Sequence, residues 1–345
     1  MIRQTATISI DIGHSNLKMV QTASDGRILR FVVHKMPEGC VEDVNILSEE
    51  SLIRSLKTAR RTGHLTAGGC NIVLSGGDII IRHFMLPVLP EEELYQNILN
   101  EMSGYLPVDP EKYYLDYKIA GMERDEGVDM YRVLVTTAHR RIVNSYKKVL
   151  RYAGFTIRVI DTCENSIEKL LRFKFEQGGV FQSDDGICVI DFGTMHTRVH
   201  LYQNGRFFVS NVLKRAGQSL SEAIAQASGK DILTAETLKR ENDFLTGGHR
   251  NAELTSAVTY EIDSLLFEIT RVFDYFKNKT KKSVGSIYIT GGGALLPGLQ
   301  QYMEMHLKLP VRLASDLVSM PSNMDPRGFS FMLNAYAATY REEQK

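Results

Sequence analysis

Apolar residues recur along this chain with two spacings, every second position in some stretches and every third or fourth in others, and the order of these stretches is written twice. The first half runs through strand-type segments at Ile8 to Ile12, Leu17 to Thr22 and Ile28 to His34. A helical stretch follows from Ser48 to Arg61, then a strand at Asn71 to Leu74 that ends in Ser75-Gly76-Gly77. The second half repeats the scheme. Strands at Ile187 to Ile190, Arg198 to Tyr202 and Phe207 to Leu213 precede helical segments, and Ser286 to Ile289 ends in Thr290-Gly291-Gly292-Gly293. Two similar α/β halves facing each other across a cleft are therefore expected.

Each half is interrupted. Between Asp78 and Phe155 the pattern reads βαββα: IIIRHFML, a helix from Glu91 to Tyr105 ended by Pro107, strands at Tyr113 to Ile119 and Tyr131 to Ala138 separated by the polar turn MERDEGVD, and a helix from Arg140 to Ala153 that stops at Gly154. TIRVID, Thr156 to Asp161, then rejoins the first sheet. The second interruption is helical. Leu254, Val258, Ile262, Leu265, Leu266, Ile269, Val272, Phe273 and Phe276 recur at helical spacing and predict a long helix with one buried face, core packing and not a cofactor box. The segment from Gly328 to Lys345 reads as a final helix. The resulting division is 1–77 with 156–182, an accessory insertion at 78–155, 183–229 with 284–345, and a helical insertion at 230–283.

The first strand pair of each half carries chemistry. ISIDIGHSNLK (Ile8 to Lys18) and CVIDFGTMHTR (Cys188 to Arg198) both end an apolar run in Asp-x-Gly, continue through a short polar turn, and place a long cation seven residues past the aspartate. Each second strand closes at Asp25-Gly26 or Asn204-Gly205, dipeptides favoured in two-residue hairpins. Gly13 and Gly193 let backbone approach a ligand closely, and successive turn N–H groups can converge on an anion. Ser15, Asn16, Thr194 and Thr197 add short donors and Lys18 a point charge, a set suited to phosphate oxygens. Asp11 and Asp191 end their strands where they could hold Mg²⁺ through its waters, because that ion keeps most of its hydration shell. The glycines of TGGGALLPG, Thr290 to Gly298, offer bare backbone to a flat base or ribose. No GxxxxGK[ST] sequence occurs, and the glycine run lacks the last glycine of a dinucleotide fingerprint.

Charge and cysteines narrow the partners. Lys plus Arg equals Asp plus Glu at 41 each with no block of like charge, so neither a nucleic-acid stripe nor a polybasic membrane patch is predicted. Cys40, Cys70, Cys163 and Cys188 are scattered without CxxC pairing and read as reduced structural thiols. The first residues, MIRQTATISIDIG, enter a strand without the apolar core of a signal peptide, and no apolar run approaches the ~18 residues that cross a bilayer. A cytoplasmic location without a direct membrane anchor is expected.

Taken together, these motifs resemble those of the actin-like ATPase superfamily: the paired Asp-x-Gly hairpins resemble its phosphate motifs, and TGGGALLPGL its adenosine motif. Within it the chain is most similar to the PilM family of type IV pilus machines, and next to the division protein FtsA. The PilM resemblance extends over almost the whole chain, through DIGHSNLK, YLPVDPEKYYLDYKI, YKKVLRYAGFTIRVID and AETLKR. It implies an actin-like fold of two ribonuclease-H-like α/β halves around a nucleotide cleft, with ATP and Mg²⁺ as ligands. Asp11, Gly13, His14, Ser15, Asn16 and Lys18 would hold one side of the phosphates, and Asp191, Gly193, Thr194 and Thr197 the other. Gly217, Glu236 and Lys239 would approach the ribose and adenine, and Gly291, Gly292, Gly293 and Ala294 would close over the nucleoside. His14 stands where relatives usually place a small hydroxyl residue, and Ala216-Gly217 replaces a Gly-Gly pair. For hydrolysis, Glu164 matches loosely the position that orients the attacking water in other members.

The resemblance also implies a partner, the short cytoplasmic tail of a PilN-like membrane protein bound beside the accessory insertion. With it come other pilus inner-membrane components, self-association, and a location at the inner face of the membrane through these partners. Two further readings share the fold. An FtsA-like protein would end in an amphipathic helix, whereas AYAATYREEQK is short and not basic. A small-molecule kinase needs a positioned carboxylate base and larger insertions around its acceptor. Finally, His196 and His200 of HTRVH superficially imitate a zinc motif, but residues four apart on a strand stand about 13 Å from each other, too far to share one ion.

Overall fold

The computed structural model describes residues 6–23, 25–66, 68–107, 109–176, 185–247, 250–318, 320 and 324–340. The first half comprises β1 (Thr7–Ile12), β2 (Asn16–Thr22), β3 (Ile28–Lys35), β4 (Val41–Glu42), β5 (Asn45–Ile46), α1 (Glu49–Thr62) and β6 (Gly69–Leu74). β7 (Ile79–Pro87), α2 (Glu91–Ser103), β8 (Tyr113–Asp125), β9 (Val128–His139) and α3 (Arg140–Tyr152) follow, and β10 (Thr156–Thr162) leads directly into α4 (Cys163–Glu176). The second half comprises β11 (Gly186–Phe192), β12 (Thr197–Gln203), β13 (Arg206–Leu213), α5 (Gly217–Ser228), α6 (Ile232–Glu241), α7 (Ala252–Thr280), β14 (Val284–Thr290), α8 (Leu299–Leu307), β15 (Val311–Leu313), α9 (Pro326–Phe329) and α10 (Leu333–Ala337).

The repeated spacing becomes a repeated sheet. Strands order as β10-β6-β1-β2-β3 in one and β15-β14-β11-β12-β13 in the other. In both, the two hairpin contacts are antiparallel and the two crossover contacts parallel. The central strands are apolar on both faces because helices cover them: Ile8, Ile10, Ile72 and Cys70 are fully buried in the first half, as are Cys188, Ile190 and Ile287 in the second. A third sheet, β7-β9-β8, carries α2 on one face through Phe84, Ile98, Met102, Val133 and Val135.

Long helix α7 buries the predicted stripe except Phe273, which is half-buried against the core, and Asn251 accepts from the Glu253 and Leu254 N–H groups at its start. Other expectations are corrected. β8 and β9 meet at the two-residue turn Glu126-Gly127, φ 46° and 87°, so the eight-residue polar turn is mostly strand, paired up to Asp125↔Val128. Asn204-Gly205 forms the expected two-residue turn, φ 51° and 70°, whereas the Asp25-Gly26 loop is one residue longer, closing with the Ala23 N–H on the Arg27 carbonyl.

The expected helix from Gly328 is broken into α9 and α10, and its last part, 341–345, lies outside the described residues. The break has a cause: the Ser330 carbonyl accepts both the Gly291 N–H and the Thr290 hydroxyl, each at 2.7 Å, and so ties the chain to the end of β14. α10 then lies between the halves, with Leu333, Ala335 and Tyr336 in a core shared with α4 and the strands of both sheets.

Candidate functional site

The seven-residue spacing of aspartate and cation is a register. Asp11 pairs with Lys18 across β1–β2, and Asp191 with Arg198 across β11–β12. Opposed residues of an antiparallel pair share a face, so Lys18 Nζ reaches Asp11 Oδ2 at 3.0 Å. Both turns close alike, Gly13 N–H on the Asn16 carbonyl and Gly193 N–H on the His196 carbonyl, each at 3.0 Å. A Cβ at Gly13 would come 2.8 Å from Lys18 Nζ, and one at Gly193 2.7 Å from the His196 carbonyl. At Gly193 the obstacle is backbone and only glycine fits, whereas at Gly13 a Cβ would have to push the end of Lys18 aside and crowd the Asn16 carbonyl at 3.2 Å. The two turns face each other across one crevice, where the Ser15 and Thr194 hydroxyls are 2.8 Å apart.

The two copies use their ions differently. Arg198 Nη2 donates to Asp43 Oδ1 at 3.0 Å, a first-half residue between β4 and β5, which also accepts the Gly77 N–H at 2.6 Å. Asp191 Oδ2 instead accepts from Asn334 Nδ2 at 2.8 Å. Asp43, Asn334 and this role of Arg198 have no local sequence signal: strands β4 and β5 have two residues each, and Asn334 reaches the crevice only because α10 returns there. His14 does line the crevice, and its Nδ1–H donates to the Val41 carbonyl at 3.0 Å.

The glycine run divides its duties. Gly291, φ 82°, lies against Asp191, where an added Cβ would stand 2.5 Å from Oδ1. Gly292 lines the crevice, while Gly293 gives way to the Phe192 ring, and Ala294 is buried in the core. Gly217 touches the second turn, its N–H donating to the Gly193 carbonyl at 3.0 Å. Lys239 Nζ donates to the Gly217 carbonyl and Ser221 Oγ at 2.7 Å each and to Glu236 Oε2 at 2.6 Å. Burial lowers the Lys239 pKa; burial also works against the Glu236 carboxylate, but the bonds from Lys239 and Ser221 outweigh it and hold that carboxyl below its ordinary value.

Of the expected site residues, Gly217, Glu236, Lys239, Gly293, Ala294, Thr197 and Glu164 do not line the crevice wall. Thr197 is fully buried and donates to the Arg215 carbonyl at 2.7 Å. Glu164, at the start of α4, turns to Cys163 and His200. His196 and His200 indeed diverge, His196 standing 4.0 Å from Asp43.

The remaining residues fit a magnesium nucleotide. Asp11, Asp191 and Lys18 share the crevice with the Ser15 and Thr194 hydroxyls and with tight glycine turns. The Asn334 Oδ1 beside Asp191 is buried without a partner. Because Ser15 and Thr194 touch, the turns would have to part for any phosphate to pass between them.

A second concavity of about 370 Å³ lies between the accessory sheet and the first half. Five consecutive residues of edge strand β8, Tyr114 to Lys118, form one wall; Leu74, Val143 and Ile160 to Thr162 contribute to the other. Lys118 Nζ crosses to Asn165 and Glu168 of α4 at 2.7 Å each.

Two sheets of one strand order facing a crevice, with an accessory sheet inserted in the first half, define an actin-like ATPase fold. The chain belongs to the PilM family: the family model of the type IV pilus assembly protein PilM matches residues 9–336. A solved PilM-PilN type IV pilus biogenesis complex is similar at TM-score 0.83 and 20% identity, covering 98% of this chain and 100% of that one. The ethanolamine utilization protein EutJ of Carboxydothermus hydrogenoformans reaches TM-score 0.58 at 14% identity, covering 98% and 89%. MreB 5 of Spiroplasma citri bound to AMPPNP reaches 0.53 at 14%, covering 96% and 94%. The cell division protein FtsA of Staphylococcus epidermidis is 22% identical over 181 residues, 46% of this chain, and the match spans only 38% of that relative's length. Among the described residues no helix is long and apolar enough to cross a membrane.

Proposed function

We propose that this PilM-family chain is an ATP-dependent scaffold: it binds Mg·ATP between its two hairpin turns and the cytoplasmic tail of a PilN-like membrane protein in the groove beside β8. The protein then works in the cytoplasm, held at the inner face of the membrane by that tail and by other pilus components. In this reading 1–77 with 156–182 and 183–229 with 284–345 are the two nucleotide-binding cores, and 78–155 and 230–283 are their insertions. Bound Mg²⁺ would offset the charge of the phosphates. Asp11 and Asp191 hold its hydration shell, Lys18, Ser15 and Thr194 meet the phosphate oxygens, and Gly217, Gly291 and Gly292 leave room for the nucleoside.

The observation that carries the partner half is the groove itself. One wall is an edge strand whose outer backbone groups have no strand partner among the described residues, the template on which an extended peptide adds by main-chain hydrogen bonds. The likeness to a PilM-PilN complex supports the same occupant. Lys118 links this wall to α4, which starts beside the Asp191 hairpin, so parting of the turns would be felt in the groove.

Calorimetric titration tests the nucleotide half: the chain binds Mg·ATP and Asp191→Ala does not. Equal binding by both would sink that assignment. For the partner half, a fluorescent peptide of the co-encoded PilN-like tail should bind with increased anisotropy, and Lys118→Glu should weaken it. Failure of the peptide to bind the nucleotide-loaded chain would reject the groove.

A further inference from the structure

Two residues beyond the Asp191–Arg198 pair, on the same strand, a fully buried histidine has no use in the nucleotide reading. His200 of β12 is 0% exposed, and neither of its ring nitrogens has a hydrogen-bond partner. A neutral imidazole carries one donor and one acceptor, and leaving such groups unmet inside a protein is disfavoured and calls for a reason. Across from it, at the first turn of α4, stand Cys163, also 0% exposed, and Glu164. Cys163 Sγ donates to Glu164 Oε2 at 3.1 Å, His200 Nδ1 is 3.8 Å from Glu164 Oε1, and one ligand atom from each residue lies within 4.8 Å of the others.

We propose that Cys163, Glu164 and His200 form a binding site for a borderline-soft divalent cation of the zinc class, which pins α4 of the first half to β12 of the second. The geometry is near what such an ion needs. With metal–ligand bonds of about 2.0–2.3 Å in a tetrahedron, ligand atoms stand roughly 3.3–3.6 Å apart. The observed separations, at most 4.8 Å, have to close by up to about 1.5 Å, within what χ rotations supply. Thiolate with imidazole selects zinc-like ions over Mg²⁺ or Ca²⁺, which prefer oxygen. The site is therefore chemically distinct from the magnesium position in the crevice.

Charge closes as well. Binding forms a metal–sulfur bond, releases the Cys163 proton to solvent and frees the Glu164 carboxylate to ligate. The dication then faces one thiolate, one carboxylate and a neutral imidazole, with a water in the fourth position. The neighbouring Arg198 cation is already held by Asp43.

Cobalt titration tests this. The full chain, freed of any purification tag and stripped with a chelator, is titrated with Co²⁺ and followed by absorption. The expected result is a thiolate-to-cobalt charge-transfer band that saturates at one ion per chain and is bleached by Zn²⁺ but not by Mg²⁺. Cys163→Ser and His200→Leu abolish the band, and His196→Asn keeps it. No band, or a band that survives Cys163→Ser, overturns the proposal. A thermal scan of the unaltered chain needs no variant. Zn²⁺ at micromolar concentration should raise its midpoint because it bridges the two halves, and an unchanged midpoint would equally reject the site.

Discussion

Adjacent glycines at the end of β14 separate backbone necessity from mere smallness. Gly291 has φ 82° and ψ 176°, a region essentially confined to glycine, where another residue costs about 1–3 kcal/mol. In Gly291→Ala the new Cβ would also stand 2.5 Å from Asp191 Oδ1, 2.6 Å from the Phe192 carbonyl oxygen and 2.8 Å from its carbon. Two of these atoms are backbone of a central strand and cannot swing away, so overpacking adds about 1–3 kcal/mol. The total, roughly 2–6 kcal/mol, is a large part of the 5–15 kcal/mol that holds a typical domain folded. Relief by moving Asp191 would disturb its bond from Asn334, so Mg·ATP affinity should fall together with stability. At Gly292 the nearest atom to a new Cβ is Phe331 Cε1 at 3.4 Å, an ordinary contact. Urea denaturation followed by circular dichroism, with calorimetric titration of Mg·ATP, compares the two alanine variants. Gly292→Ala should remain within about 1 kcal/mol of the parent, as mild substitutions do. A Gly291→Ala chain as stable as Gly292→Ala, with undiminished nucleotide affinity, would refute the close approach of this turn to Asp191.

Three other outcomes follow from burial and charge. His83, stacked on Phe207, has its pKa lowered to about 4 by burial and by the nearby Arg132. The unfolded chain takes up this proton near pH 6.5 and the folded one only near 4, so the contribution to stability is intact above 6.5 and falls as pH drops towards 4. At about 1.36 kcal/mol per pH unit it reaches about 3 kcal/mol; denaturation at stepped pH should show this slope, and His83→Phe should flatten it. Ile269 is fully buried on α7, so Ile269→Ala should cost about 2–5 kcal/mol and Ile269→Val about 1 in the same assay. Asp43→Ala should cost about 1–3 kcal/mol, because it strips the part-buried Arg198 of its acceptor and the Gly77 N–H of its own. A loss below about 0.5 kcal/mol would show that solvent replaces both bonds.

What the chain determined by itself is what depends on neighbours in sequence. The two hairpins were legible because alternating apolar residues, Asp-x-Gly and a cation seven positions on are one local register, Asp11 opposite Lys18 and Asp191 opposite Arg198. The stripe of α7 was legible because helical spacing is local too. Where competing local signals existed, reading failed: the polar run 122–129 hid a two-residue turn at Glu126-Gly127, and the polar start of α4 hid a helix. Tertiary structure alone decided which carboxylate each cation meets. Lys18 keeps its register partner, but Arg198 is drawn to Asp43 because β4 and β5 place a carboxylate of the other half within reach, and α10 supplies Asn334 to Asp191 instead. The same folding brings His200 to Cys163 and Glu164 and leaves Thr197 inside. A repeated motif specifies a repeated backbone, whereas the partner of a buried charge depends on whichever distant segment can desolvate beside it at least cost.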